Sequence, residues 1–385
     1  MRLSVTQVFT LPDVHAQAQA LAHLPALGSA AFPAAATRLL QRYLQAPPEG
    51  IRPGWPASRR HGACGYSRAD DSAFYPANLA YLLQGLAARH PARAEAEAWR
   101  RMAQGITEQY RFYRSVPGLW SYAFYQTRPH KRWFPFGHTF RQSEHFRPPD
   151  DPDDTALIYL TLPHTPAQQT WLRHQKLPSH AGQVAGPVPH TRSEWQGFAA
   201  YTTFFSQGMP LSFDVGVLAN VMNWVLTFGG PLNRHDKDSL RILADVVNQE
   251  LILTDPYRIA PYYAHPVGLG YTLARFMAAH PAHPFVAAHR PALLATLLKL
   301  EAIDGLTGFE RLAVQVSQAM LGYKPGPVPA FAAQEAADFA LYRFPLGAEY
   351  RLLLAQAIAP RSWQIVRFSS PSFALGVLLE RHLCL

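Results

Sequence analysis

From residue 211 to the end of the chain, apolar residues recur at helical spacing in one segment after another. Gly-Gly or Pro separates most neighbouring segments. A helix with one apolar stripe must bury it against other helices, and short links make sequence neighbours antiparallel. The periodicity predicts helices over 214–228, 237–253, 266–279, 284–300, 305–322, 331–342, 346–358 and 371–382. Upstream, 14–28 and 34–46 have the same period, and 74–88 and 92–113 read as an antiparallel pair split by His90-Pro91. Strand-type alternation is rare. The 34 prolines are about twice the usual ~5% share and punctuate these segments. A chain of 385 residues that is 48% hydrophobic can build a large core. The expected fold is all-α, an α/α toroid of the α6/α6 type made of helical hairpins, with no internal boundary, so residues 1–385 form one domain.

Two stretches break the helical pattern. Residues 115–150 hold Trp120, Tyr122, Phe124, Tyr125, Trp133, Phe134, Phe136, Phe140 and Phe146, together with Lys131 and Arg132. A loop this long in a compact domain is functional or disordered, and such aromatic density argues against disorder. Trp120, Tyr122, Trp133 and Phe136 either pack under the loop or present π faces to a cationic intermediate, which desolvated rings stabilise by about 2 kcal/mol each. Tyr262 and Tyr263 carry the same two readings. Lys131 and Arg132 form either a diphosphate grip or a solvated basic turn. Residues 176–205 are a second irregular stretch, rich in Pro, Gly and His.

The aromatic loop feeds into Asp150-Asp151-Pro152-Asp153-Asp154-Thr155-Ala156, after which the chain turns apolar. Only 16% of residues are charged, so four carboxylates within five positions stand out. Three readings compete. As a helix start, Asp151 is the N-cap, Pro152 sits at the first helical position and Asp154 at the third; this accounts for two or three acids without requiring four. As a metal site, Asp150, Asp151 and Asp154 have the DDxxD spacing with which class I terpene synthases hold Mg²⁺ against a diphosphate. Here Pro152 would interrupt the helix carrying them, and the second motif of that class is incomplete: His235-Asp236-x-x-Ser239 is followed by Leu243. As an acid catalyst, Asp153 would be a neutral carboxylic acid kept protonated by burial, which raises a carboxyl pKa by about 3–5 units. The helix dipole opposes this by only about 0.3–1 kcal/mol. Asp151 and Asp154 would tune Asp153 and shuttle its proton, and Thr155 would donate a hydrogen bond to the carboxylate left behind.

The third reading is a resemblance, and the resemblance is what singles out Asp153. Asp151-Pro152-Asp153-Asp154-Thr155-Ala156 resembles the DxDD-T-A motif of class II terpene cyclases, in which the middle Asp protonates an alkene or epoxide. Phe213-Asp214-Val215-Gly216-Val217-Leu218-Ala219-Asn220-Val221 is similar to the D-x-x-V-N-x-N-V-L stretch of the same toroids, with Leu218 replacing the first Asn. Pro256-Tyr257-x4-Tyr262-Tyr263 and Leu273-Ala274-Arg275 resemble their P-x-Y-Y and L-A-R helix. Phe368-Ser369-Ser370, Phe373-Ala374 and Leu379-Glu380 resemble their last helix. The resemblance implies protonation-initiated cyclisation of a linear polyprenoid, including prenyl diphosphates, with Asn220, Tyr262 and Tyr263 near the substrate. Mg²⁺ would enter only through a substrate diphosphate, and Asp150 would join in if a metal binds. The QxxxGxW repeat of squalene–hopene cyclase is missing, and the length is that of one toroid, so a single toroid mouth must enclose the substrate. The alternatives are the class I Mg²⁺-dependent synthase and a non-catalytic toroidal binding protein. The α/α-barrel glycosidases use separated carboxylate pairs, which one contiguous cluster does not suggest.

The remaining observations set bounds. The net charge of +9 permits anionic partners, but the basic residues are dispersed and form no nucleic-acid module. Cys64 and Cys384 cannot build a disulfide framework or a Cys-based zinc site. No GxSxG, HExxH or P-loop is present; Gly268-Leu269-Gly270 follows no strand and reads as helix packing. The 17 histidines are scattered. No signal peptide and no apolar run of membrane-spanning length are visible. The expectation is a cytoplasmic protein, with peripheral membrane contact permitted, whose partner is a small isoprenoid.

Overall fold

The computed structural model describes residues 12–47, 51–56, 58–61, 67–115, 119–127, 149–189, 191–206, 211–345 and 365–384. These are predominantly helical. The helices are α1 (Pro12–Ala22), α2 (Phe32–Gln45), α3 (Phe74–Arg89), α4 (Ala96–Thr107), α5 (Pro152–Thr161), α6 (Pro166–Trp171), α7 (Leu177–Ser179) and α8 (Val215–Phe228). They continue as α9 (Arg234–Asn248), α10 (Leu251–Thr254), α11 (Pro256–Ile259), α12 (Pro266–Ala279), α13 (Pro284–Glu301), α14 (Gly308–Met320), α15 (Ala333–Ala337) and α16 (Pro371–Leu383).

The starts of these helices are written in the sequence. Proline occupies the first positions of α2, α5, α6, α12, α13 and α16, where a missing N–H costs nothing. Asp214 caps α8 and Ser370 caps α16, while α9 and α14 begin with complete capping boxes, Asn233 with Asp236 and Thr307 with Glu310.

Six helices pack in a closed cycle. α3 lies on α5, α5 on α8, α8 on α12, α12 on α14, α14 on α16, and α16 returns to α3. α4 packs on α3, α9 on α8 and α13 on both α12 and α14. The cycle helices are buried nearly all round: eleven residues of α8, eleven of α12 and eleven of α16 are buried. Glycine lets them approach. A Cβ on Gly268 would lie 1.7 Å from the carbonyl oxygen of Leu341, and one on Gly270 would lie 2.7 Å from Leu297 Cδ2, so the Gly268-x-Gly270 pair serves packing as expected.

A small antiparallel sheet departs from the all-α expectation. β1 (Ser58–His61), β2 (Ser67–Asp70), β3 (Tyr342–Pro345) and β4 (Ile365–Ser369) pair in the order β2-β1-β4-β3. The predicted helix 331–342 is therefore cut to α15, and its end becomes β3. Strands this short leave little period to detect, and the buried residues of β1 are Ser58 and Arg60, so hydrophobic alternation has nothing to report. The predicted helix 237–253 breaks at Glu250, which is left-handed (φ 54°). The predicted helix 346–358 and Cys64 lie outside the described residues.

Candidate active site

The acid cluster opens α5. Asp151 is the N-cap, with its Oδ1 accepting from the Asp154 amide at 2.8 Å, as the helix-start reading requires. That reading explains Asp151 and leaves Asp153 and Asp154 unexplained, because both are buried at 5% and 1% exposure rather than facing solvent. Asp153 therefore does not stand on an open surface. Its Oδ1 accepts a hydrogen bond from Asn220 Nδ2 of α8 at 2.7 Å. Among the described residues nothing hydrogen-bonds its Oδ2. Among the described residues neither oxygen of Asp154 has a hydrogen-bond partner, although its amide donates to the neighbouring Asp151 carboxyl.

Burial dominates the electrostatics. It holds Asp153 well above the usual carboxylate range, the Asp151 charge pushes the same way, and the Asn220 hydrogen bond opposes them. Asp154 is pushed up by burial and by Asp151 and Asp153. Burial raises Asp151 to about 7 against the pull of the Asp154 amide. A fourth acid belongs to the group: Asp214, the N-cap of α8, accepts from the amides of Gly216 and Tyr262 at 2.9 Å, yet its burial still raises it to about 7. Burial thus favours the neutral form of all four carboxyls.

Behind Asn220 stands Arg275 of α12. Its Nη2 donates to Asn220 Oδ1 at 2.6 Å, and its Nη1 donates to Asn78 Oδ1 of α3. Asn78 Nδ2 in turn donates to the Phe74 carbonyl at 2.8 Å. Four cycle helices thus meet at the acid. A ring cluster lies close by. Tyr342 of β3 stacks on Phe368 at 4.7 Å, meets Phe74 edge-on at 4.6 Å and lies 5.5 Å from Tyr263. Tyr263 packs over Gly216, where a Cβ would come within 2.7 Å of the ring. Among the described residues the buried Tyr342 hydroxyl has no hydrogen-bond partner, and burial, with Asp70 next, holds it well above its usual range.

The structure redistributes the other sequence nominations. Asn220 is the direct hydrogen-bond partner of Asp153. Thr155 does not face the acid: its Oγ1 accepts from the Tyr122 amide at 3.0 Å and is tied to that residue's backbone. The Tyr122 backbone stays at the acid end, where its carbonyl accepts from the Asp151 amide at 3.1 Å, but the rings of Trp120 and Tyr122 meet residues farther along. Trp120 meets Trp171 edge-on at 5.5 Å, and Tyr122 hydrogen-bonds His164, which stacks on Tyr159 at 3.6 Å. Tyr262 contributes its amide to Asp214, and its ring meets Phe204. Trp133, Phe136, Lys131 and Arg132 lie outside the described residues.

The class I metal residues do not fit a Mg²⁺ site. Asp150 turns away to Ser121 Oγ and to Lys176 Nζ at 3.2 Å, while Asp151 is spent on its cap. Asp236, in the nominated second motif, is buried in an ion pair with Arg173 at 2.5 Å and accepts from Tyr201 at 2.7 Å. Among the described residues no group of three or more His, Cys, Asp or Glu side chains is placed to hold a metal.

Sequence reasoning overlooked Asn78, Arg275, Asp214 and Tyr342 as site residues. The first two had a signal. Each places an amide or a charge inside a mostly apolar helix, and such a group must be paired when buried. Tyr342 had none, because its strand is too short to read. Comparison of the chain with family models, with curated proteins and with solved structures gives no match.

Proposed function

We propose that the chain is a class II-type terpene cyclase with Asp153 as the general acid. One observation carries this reading: a buried carboxyl beside two others, with Asn220 donating to Oδ1 and, among the described residues, nothing hydrogen-bonded to Oδ2. Alkene protonation needs such a group, neutral before the step and supported by a fixed N–H after it. In that step the Oδ2–H bond breaks, the π electrons of the terminal double bond form the new C–H bond, and a tertiary cation remains for the next double bond to attack. Loss of a proton or capture of water ends the sequence. Asp151 and Asp154, whose electrostatics are tied to those of Asp153, return the proton to it in this reading. The rings of Tyr263, Tyr342 and Phe74 supply π faces, and an apolar surround keeps out water that would quench the cation.

The closed cycle of six helices with others packed against them supports reading the fold as one α/α toroid spanning the whole chain. The small sheet, through Tyr342, closes one side of the acid end. The substrate is a linear polyprenoid, and Mg²⁺ has a place only on a substrate diphosphate. No helix among the described residues is long and apolar enough to cross a membrane. We place the protein in the cytoplasm, in peripheral contact with the membrane that dissolves its substrate.

The test is incubation with fifteen-, twenty- and thirty-carbon isoprenoids, with and without Mg²⁺, followed by product analysis and pyrophosphate determination. A cyclised product that retains its diphosphate, or a cyclised hydrocarbon from a substrate lacking one, is expected. Immediate pyrophosphate release would point to class I chemistry. Absence of turnover with every substrate would point to a binding protein.

A further inference from the structure

Arg275 is an unusual buried cation. It is 5% exposed and enclosed by the Tyr81 ring at 5.2 Å and the Tyr271 ring at 5.8 Å. Among the described residues no carboxylate forms an ion pair with it. Burying a guanidinium is costly, and it is normally offset by a bidentate carboxylate. Here two amide oxygens take that place, those of Asn78 and Asn220.

The chemistry of the amide makes this consequential. Asn offers one accepting oxygen and one donating nitrogen, whereas Arg only donates. The atom of Asn220 facing Arg275 must therefore be Oδ1, and the one facing Asp153 must be Nδ2. An N–H donated to Asp153 Oδ1 makes that oxygen the carbonyl of the neutral acid, so its proton sits on Oδ2. With the amide turned over, Asn220 Oδ1 would face Asp153 and accept the acid proton itself, withholding it from a substrate. Asn78 steadies the clamp from the far side: its own Nδ2 is fixed on the Phe74 carbonyl, so its oxygen is committed to Arg275.

We propose that Arg275 is the positioning residue of the acid: by claiming the amide oxygen of Asn220 it fixes the transferable proton of Asp153 on Oδ2. The inference rests on the reading of Asp153 as the acid. After proton transfer, the same arrangement places a polarised N–H against Oδ1 of the new carboxylate, with the Arg275 cation one hydrogen bond behind it and the buried Glu380 of α16 acting on that cation in turn. The charged groups that bear on Asp153 are Asp151 and Asp154 of its own segment, Asp214 at the start of α8 and Arg275 of α12. Arg275 is the cation among them.

The experiment reads the carboxyl directly, without substrate. The carbonyl stretch of Asp153 is isolated as the infrared difference between the wild type and Asp153→Asn, and followed with pH in the wild type, Arg275→Gln, Arg275→Lys and Asn220→Leu. In Asn220→Leu the carbonyl loses its donor, and its stretch should move to higher frequency. In Arg275→Gln the band should broaden or split as the amide samples both orientations, and its titration midpoint should rise by about one unit, a tenfold change in proton affinity. Arg275→Lys should recover the midpoint more fully than the band shape, because an ammonium restores charge but not the fork. A band and midpoint unchanged in folded Arg275→Gln overturn the proposal. If that variant does not fold, an unshifted band in Asn220→Leu overturns it. Failure of the wild type to cyclise any isoprenoid would sink the terpene cyclase reading while leaving this measurement to decide the clamp.

Discussion

Asp153 is set apart from the neighbouring acids by what faces each of them. Asp150 meets Lys176 and Ser121, Asp151 meets an amide, Asp154 meets another carboxyl, and Asp153 meets a single amide N–H on one oxygen. Only the last combination leaves a proton both retained and deliverable. Replacing Asp153 with Asn keeps the shape and removes the proton. Cyclisation should fall by at least about 10²-fold, the usual scale of a lost general acid, while the fold survives. Product formation measured beside a thermal melt checks both halves. Asp151→Ala should cost about 1 kcal/mol of stability through the lost cap, readable as a lower urea midpoint.

Helix contacts decide whether these residues meet. α12 reaches its neighbours only because Gly268 and Gly270 lack side chains. A methyl on Gly268 would collide with the backbone of Leu341, which cannot rotate away, so α12 or β3 must move. Gly268→Ala should therefore destabilise by about 1–3 kcal/mol or more and loosen the Arg275–Asn220 contact. Urea denaturation reports the first effect, and the Asp153 carbonyl band reports the second. The helix starts were readable because proline and capping residues act locally. The strands were not, because their pairing joins segments far apart in the chain, as β1 does with β4.

At the scale of the molecule, the buried carboxyl corner carries a stability signature. Asp214 is raised to about 7 in the folded protein, above its ordinary value near 4. Between those values the folded state holds a proton that the unfolded chain has lost, so this group lowers stability as pH rises from about 4 to about 7 and contributes nothing further above that. Half-buried histidines act in the opposite sense: His61 and His164, lowered to about 4, cost stability as pH falls below about 6.5. Comparing Asp214→Asn with the wild type isolates the acid, since Asn also caps helices well. The melting temperature of the variant relative to the wild type should climb from pH 4 to pH 7 and then level off. A flat difference across that range would show that Asp214 is not protonated in the folded state.

The helical class, most helix boundaries and the conspicuous acid cluster are determined by the chain itself, because period, proline and caps act over a few residues. Asn220 was visible as a matched position, yet its role was not, and Arg275 was quoted only as part of a helix pattern. Their function depends on α3, α5, α8 and α12 bringing one side chain each to a common point. Tertiary structure alone could decide that Asp153 has its amide partner while Asp150 has a lysine. It also decided that Thr155 and Tyr122 serve the backbone and not the acid. Side-chain direction and burial follow from which helices pack together, and no local run of residues encodes that.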